Sequence, residues 1–463
     1  MIRVKILLPA LFFLILVSPS SAKDAPFSVV LIAIDTLRAD HLESYGYNRR
    51  TSPSIDALAQ DGVLFKQAIS QSAWTLPSFA SVFTSKYPWQ HGVYDPERKL
   101  KPSEQTLTQV LRQAGYTTAA FTEGTWFWPR YGFDRGFGTY VNKNHKYLSG
   151  LLPDIRDWLR VHGHERFFLF IHASDTHAPY AAPPAFNHKF DDRYEGMVDR
   201  LRLDIYFTMA YNHEWIRFYG PPTSKGYSLL LDEIRQNPRD REHIISHYDD
   251  LVSWVDSNVG TLLKELKESG LYDKTIVIFT SDHGEELGER GRFGHTYTVN
   301  EEVARVPLII RHPGIKEKGR RVSRQVQLID LAPTILDFMA VPVPAEFVGR
   351  SLASLMAGTG KNGEENYAFT SADTPQKRLA VFSIRSNNWK LIADDGGSNA
   401  RLFNLTKDPK ELRNVSGLHP EITARLAAEL RKQLQPAFYQ EADSVVPLKP
   451  EEIESLQAMG YLR

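Results

Sequence analysis

Cysteine occurs nowhere in the 463 residues. Its absence excludes a disulfide framework, thiolate metal sites, a cysteine nucleophile and any cofactor made from cysteine. Neither sign of charge is in excess, with 55 Lys and Arg against 55 Asp and Glu. So balanced a chain carries no electrostatic footprint for nucleic acid and no polybasic patch for a membrane surface. Long apolar runs are also missing, except near the start. There "MIRVK" places Arg3 and Lys5 before the apolar "ILLPALFFLILV", and "SPSSA" follows with small residues. That order marks a secretory signal peptide, residues 1–22, and the run is short for a membrane span. Cleavage after Ala22 is expected to give an exported protein, periplasmic or extracellular, with no transmembrane segment in the mature chain. The alternative is an uncleaved anchor. A chain of this length buries a core large enough to fold outside the cytoplasm without disulfides.

What is present alternates in type. "FSVVLIAID", "TTAAFT", "RFFLFIHASD", "TIVIFTSD" and "VPLIIR" are short apolar runs that read as buried strands. Between them, "SPSIDALAQDG", "LTQVLRQAGY" and "HYDDLVSWVDSNVGTLLKELKESG" have helical spacing, the last ended by Gly270. The pattern predicts an α/β domain, residues 23–360, with a large mostly parallel sheet covered by helices on both faces. A stretch at about 187–240 breaks the rhythm and reads as an insertion: a lid, a substrate wall or a plain surface excursion. From 361 to 463, short strands in "RLAVFSIRS", "NWKLIAD" and "ARLFNL" precede the helical "PEITARLAAELRKQL". This predicts a smaller α+β subdomain with an antiparallel sheet.

Two of the strands end in acids, Asp35 in "LIAIDTLRAD" and Asp282 in "IVIFTSDHGEE", where His283 and Gly284 follow. Ligands of open parallel sheets bind beyond the carboxyl ends of the strands. The three side chains are candidates to converge on one cation, with Gly284 permitting close backbone approach. Carboxylates mixed with imidazole suit zinc or manganese, and an oxygen-only set leans to calcium or magnesium. Helix caps or ordinary hydrogen bonds are the competing roles. In "AWTLPSFASVF", Thr75 lies near a helix start, with Pro77 in the first turn. Backbone N–H groups and the helix dipole favour negative charge there, so a metal-bound Thr75 hydroxyl is a candidate nucleophile. The competing role for Thr75 or Ser78 is a simple N-cap.

With these residues in place, the chain resembles the sulfatase family of the alkaline phosphatase superfamily over nearly all of its mature length. "VVLIAIDTLRADHLESYGYNRRTSPSIDALAQDGVLFKQAISQSAWTLPSFASVFTSKYPWQHGV" resembles the opening block of the family. "TIVIFTSDHGEELGERGRFGH", "EEVARVPLIIRHPG", "RLFNLTKDPKELRNVS" and "LKPEEIESLQAMGYL" follow in the family order. The resemblance implies an alkaline-phosphatase-like fold and metal ligation by Asp35 and Asp282; His283, where many sulfatases have Asn, and Thr75 complete the expected set, and that His favours zinc or manganese, with calcium as the alternative. It also implies that His177 in "DTHAPY" and His295 in "RFGHTY" contact the charged oxygens or protonate the leaving group.

The departures from the family are specific. Thr36 stands where a second acid is usual, and Phe79 where the Cys/Ser-x-Pro-Ser-Arg motif has Arg. Thr75 occupies the formylglycine position and cannot form that aldehyde, because its side chain carries a methyl group. "AFTEGTWFW", around Glu123 and Trp126, replaces a segment that supplies sulfate-binding cations. Threonine nucleophiles also occur in the related phosphoethanolamine transferases and nucleotide pyrophosphatases. The expected activity is cleavage of a sulfate or phosphate ester of a small molecule, sugar or lipid headgroup by Thr75. The alternatives are a phosphodiesterase or phosphoethanolamine-type transferase, or an inactive binding protein on the same fold. Arg38, Asp40 and Thr36 are expected to support the metal ligands from behind. His172 and His91 read as structural, "EELGER" as a solvated turn, and Trp126, Phe127 and Trp128 as a buried aromatic cluster.

Overall fold

The computed structural model describes residues 27–143, 147–200, 237–360, 366–372, 380–386, 388–394, 399–434 and positions 449 and 453. The expected signal peptide, most of the expected insertion and the C-terminal tail lie outside the described residues.

The central sheet uses β1 (Ser28–Ile34), β2 (Val63–Ile69), β3 (Thr117–Glu123), β4 (Thr139–Lys143), β5 (Phe167–Ala173) and β6 (Thr275–Thr280). A small hairpin, β7 (Glu286–Leu287) with β8 (Phe293–Gly294), lies outside it; β9 (Arg305–Arg311), β10 (Arg320–Val322) and β11 (Val326–Gln327) complete it. Its nine strands run in the order β10-β2-β9-β6-β1-β5-β3-β4, with β11 beside β2. All pairings are parallel except those of β9, which runs antiparallel to β2 and β6. The sheet is therefore mixed, although mostly parallel as its apolar strands imply. Direction is set by the connections, which the apolar run "VPLIIR" does not encode.

The main helices are α1 (Pro53–Asp61), α2 (Thr75–Thr84), α3 (Leu107–Gln113), α4 (Tyr147–His162), α5 (Pro238–Glu268), α6 (Leu331–Phe338) and α7 (Pro420–Leu434). Alternation along β1 assigns them to faces. Val29, Leu31 and Ala33 join a core with Phe79 and Phe83 of α2, Leu107 of α3 and Ile335 of α6. Val30, Ile32 and Ile34 join a second core with Leu58 of α1, Ile155 of α4 and Val255 of α5. Successive strand residues point to opposite sides, so a sheet buried on both faces needs continuous apolar strands. Helix α5 begins at Pro238, earlier than its apolar periodicity shows and within the stretch expected to be an insertion. Its first turns carry polar residues, which is why the periodicity did not reveal them.

The C-terminal sheet is antiparallel in the order β12-β13-β14-β15 (Ala368–Ala372, Val381–Arg385, Trp389–Asp394, Arg401–Asn404), with Leu426 and Leu430 of α7 in its core. Strand β12, "AFTSA", was not anticipated; it is short and only half apolar. Its edge reaches the large domain: the Ala73 N–H donates to the Ser371 carbonyl at 3.1 Å, and the Ser371 N–H donates to Gln71 at 3.0 Å. A buried ionic cluster reinforces the joint. Lys390 lies 3.1 Å from both Glu301 and Glu411, and Arg385 Nε lies 3.0 Å from Glu301. Burial opposes ionisation of Glu301, but Arg385 and Lys390 outweigh it and hold the carboxyl below the ordinary glutamate range.

A depressed folded-state pKa adds stability that is fully present above the ordinary glutamate range and is lost as pH falls below it. Lys390→Met leaves Glu301 and Glu411 buried with one cation fewer. The expected cost is about 3–5 kcal/mol, measured by urea unfolding at neutral pH. An unchanged midpoint would show that the cluster does not secure the joint.

Candidate active site

The strand alternation that builds the first core also builds the site. Ala33 of β1 is paired with His172 of β5 and with Thr280 of β6. Side chains in register on parallel neighbours share a face. Carried past the strand end, the β1 series Val29, Leu31, Ala33 reaches Asp35. The β6 series Ile276, Ile278, Thr280 reaches Asp282, and Phe168 and Phe170 lead to His172. All three emerge on the face occupied by α2. Asp35, His172 and Asp282 are buried, with ligand-capable atoms within 4.8 Å of one another.

His283 completes the group. Its Nδ1–H donates to the Gly284 carbonyl at 2.9 Å, which leaves the lone pair on Nε2. Nε2 lies 3.4 Å from Asp35 Oδ1, 3.4 Å from Asp282 Oδ2 and 3.3 Å from Thr75 Oγ1. The sequence-predicted ligand set Asp35, Thr75, Asp282 and His283 is thus brought together around one point. Asp35 Oδ1 and Asp282 Oδ2 are buried without a hydrogen-bond partner. Burial and then the neighbouring Asp282 carboxylate push the Asp35 carboxyl well above its ordinary range. Two buried carboxylate oxygens that lack donors need positive charge. Corners of a tetrahedron around zinc bonded at its usual lengths stand about 3.3–3.4 Å apart, which these distances match. Longer calcium bonds in an octahedral arrangement give similar edges, so the imidazole rather than the spacing favours zinc.

Thr75 is the first residue of α2 and is 1% exposed; Trp74 precedes it as N-cap, with no side-chain cap bond. The N-cap role is therefore excluded for Thr75 and also for Ser78. Ser78 instead donates its hydroxyl to the Asp282 carbonyl at 2.8 Å, locking the helix start to the second acid. Gly284 is required sterically. A Cβ there would lie 2.0 Å from the Glu302 carbonyl oxygen, because residues 284–285 pair with 302–303.

Thr36 sits in the left-handed region at φ 57°, and its carbonyl oxygen accepts from the Tyr248 hydroxyl at 2.8 Å. The Thr36 hydroxyl is directed to Thr176 at 3.5 Å. Arg38 binds Asp40 through two nitrogens at 3.0 and 2.8 Å, Glu289 at 2.8 Å and the Glu285 carbonyl at 3.0 Å. It thereby ties the loop after β1 to the loop after β6.

The expectation for "EELGER" is overturned. Glu285 and Glu286 are 0% and 3% exposed, and Glu289 is one of the partners of Arg38. The first two charges are buried and the third, half-buried, pairs with Arg38, while Arg290 stays exposed; linear charge density cannot distinguish this from a solvated turn. Burial pushes Glu285 up to about 7, against the opposing pull of His177, His283 and Arg38. Its Oε1 lies 3.1 Å from His295 Nδ1. Burial, and then His283 and His177, lower His295 well below the usual imidazole range. The His295 ring is 4.5 Å from that of His283 and 5.1 Å from that of His177. His177 Nδ1 donates to the Ala178 carbonyl at 2.7 Å. Both predicted histidines therefore lie on one side of the ligand group.

His172 and Glu285 are the residues that sequence reasoning set aside. For His172 a signal existed: it is the polar residue in phase with Phe168 and Phe170 on an apolar strand. Burial lowers it to about 4, so it is a neutral ring beside the acids. Phe79, in place of the motif Arg, packs edge-on to it at 5.1 Å, and Phe127 lies tilted against it at 4.5 Å. Trp126 stacks edge-on to Trp74 at 5.1 Å in the core. Glu123 is buried and accepts the Ser174 N–H at 3.2 Å. His91 is held by Ser81 at 3.0 Å and by the Val93 N–H at 3.0 Å, a structural role as expected.

Comparison with known proteins agrees with this geometry. The Sulfatase family model matches residues 28–341, and a model of the N-sulphoglucosamine sulphohydrolase C-terminal region matches 288–440. Human arylsulfatase K is 34% identical over 451 residues, covering 88% of this chain and 82% of that protein. An N-acetylglucosamine-6-O-sulfatase of Bacteroides thetaiotaomicron is 26% identical over 84% of this chain and 82% of its own length. A protein solved in complex with its substrate, D-glucosamine-2-N,6-O-disulfate, superimposes with a TM-score of 0.73 at 21% identity, over 90% of this chain and 100% of that one. A phosphonate monoester hydrolase from Silicibacter pomeroyi gives 0.70 at 25% identity, over 88% and 94%. Strand-end acids, a helix-start hydroxyl and the matched family model lead to one conclusion: the chain belongs to the sulfatase family of the alkaline phosphatase superfamily, a family of sulfuric ester hydrolases.

Proposed function

We propose that this protein is an exported, metal-dependent hydrolase that cleaves sulfate esters of a sugar-type alcohol with Thr75 as nucleophile. The observation that carries the reading is the convergence of Asp35, Asp282 and Thr75 on His283 Nε2 at 3.3–3.4 Å. Sulfated sugars are the substrate class we favour, because the chain is similar in sequence to an N-acetylglucosamine-6-O-sulfatase and in fold to a protein complexed with a disulfated glucosamine. The signal-peptide pattern supports export.

Asp35, Asp282, His283 and Thr75 would hold the ion, with zinc preferred. Such an ion supplies positive charge that stabilises a threonine alkoxide and polarises the ester oxygens. The α2 N-terminus adds its backbone dipole at the same atom. Thr75 Oγ gives its proton to the Nε2 lone pair of His177 or His295 and attacks sulfur; the bond from sulfur to the ester oxygen breaks, and the same histidine passes that proton to the departing alcohol. Water then attacks sulfur of the sulfo-threonine, releasing sulfate and restoring the hydroxyl. Where the Glu285–His295 proton sits decides whether His295 Nε2 accepts or donates at that stage.

Phosphoester cleavage is the second reading. It is favoured by Thr75 itself, which cannot become formylglycine, and by the likeness to a phosphonate monoester hydrolase.

Purified protein loaded with zinc, manganese or calcium should hydrolyse an aryl sulfate and lose at least ~10³-fold in kcat on Thr75→Ala. Turnover of an aryl phosphodiester or phosphonate alone would transfer the protein to the phosphoester reading. No turnover of any ester with metal bound would leave only the binding-protein alternative.

Arg38→Gln removes the clamp between the two ligand loops without touching a ligand. Metal affinity should fall about 10–100-fold, measured by competition with a fluorescent chelator. An unchanged affinity would show that the loops hold their positions without it.

A further inference from the structure

A second group of side chains has the chemistry of a metal site, and it uses none of the residues assigned to catalysis. His243 and His247 lie one turn apart on α5, so their rings project from the same face. His188, from the loop before it, and Asp199, in the short helix Met197–Arg200, face them. One ligand atom from each of the four falls within 4.8 Å of those of the others. The ring centroids of His243 and His247 are 4.4 Å apart, and that of His188 lies 5.1 Å from His247 and 5.7 Å from His243.

The surroundings orient these rings. His243 Nδ1 donates to Asp191 Oδ2 at 2.7 Å, and its Nε2 is directed to Asp199 Oδ1 at 2.9 Å. A ligating histidine usually gives its other N–H to a carboxylate in this manner. Asp191 is itself fixed by Arg239 at 2.6 and 2.7 Å. Asp199 Oδ1 is also 3.5 Å from His247 Nε2. His188 occupies the left-handed region at φ 58°, a conformation costly for a residue with a Cβ. Asp250 holds it there by accepting the N–H groups of His188 at 2.8 Å and Lys189 at 3.1 Å. His243 and His247 are 0% and 5% exposed.

We propose that His188, Asp199, His243 and His247 form a second divalent-metal site, of three nitrogens and one carboxylate oxygen. Closed sets of that kind suit tetrahedral zinc in a structural role. The ion would fasten the segment 187–199 to α5 one residue before Tyr248. The Tyr248 hydroxyl in turn accepts the Arg38 N–H at 2.9 Å and donates to the Thr36 carbonyl at 2.8 Å beside the catalytic acids. The competing account is a doubly paired His243 cation between Asp191 and Asp199 that holds no metal.

The test is a zinc count on the full mature chain, stripped with chelator, re-equilibrated with zinc and measured by plasma emission. The expected result is two zinc ions per chain in the wild type and one in Asp35→Asn/Asp282→Asn. Adding His188→Gln and His247→Gln to that background should remove the remaining ion, with affinity falling about 100-fold or more. Because His188 lies in a loop, His188→Gln alone gives a readout that leaves α5 intact. In the double Asp variant, the visible spectrum of bound cobalt should report tetrahedral nitrogen ligation and be lost in His188→Gln. No zinc in the double Asp variant, or a count and spectrum insensitive to His188→Gln and His247→Gln, would overturn the proposal. Because the catalytic acids are already removed, this outcome is independent of whether Thr75 acts as nucleophile.

Discussion

Two buried carboxylates, each with an oxygen that lacks a hydrogen-bond donor, side by side at the ends of adjacent strands, are the constraint around which this protein is organised. Asp35 and Asp282 repel each other and have lost water. Left uncompensated, such a pair costs several kcal/mol and protonates instead of staying charged. The architecture opposes that outcome by directing His283 Nε2, the Thr75 hydroxyl and the start of α2 at the same point. A cation there turns mutual repulsion into shared attraction.

Much of the remaining polar structure keeps those groups from moving apart. Ser78 fastens α2 to the Asp282 carbonyl, and Arg38 fastens the Glu285 carbonyl to the loop after β1. The C-terminal sheet contributes from further away. Its strand β12 pairs with residues 71–73 just before Thr75, and its Lys390 binds Glu301 in the segment paired with Gly284 and Glu285. The subdomain is thus a buttress for both the start of α2 at Thr75 and the loop that carries Asp282 and His283. Removing its buried charges would be felt at the site through backbone position.

The departures from the family motif gain a physical meaning in this setting. Phe79 does not leave a hole where an arginine is usual. It packs with Phe127 against His172, so that side of the site is apolar and holds a neutral imidazole. In the proposed reaction, charge complementarity to an oxyanion would rest correspondingly more on an ion held by Asp35, Asp282 and His283, the helix end and the pair His177 and His295. Thr36, where a second acid is usual, lowers the negative charge of the ligand group and turns its hydroxyl to Thr176.

The sequence by itself determined the layered α/β core, the strand-end acids, the helix-start threonine and the C-terminal antiparallel sheet. Those features are written in local periodicity and in residue types at element boundaries, which adjacent residues suffice to specify. Only the tertiary structure decided that β9 runs antiparallel, that Glu285 and Glu286 of "EELGER" are buried, that α5 starts at Pro238 and that His172 stands beside Asp35 and Asp282. It also brought His188 and Asp199 against His243 and His247. Each of these depends on which segments, distant in the chain, are placed in contact. A charged or imidazole side chain has the same local pattern whether it meets water or another buried group, so contact alone reveals its role.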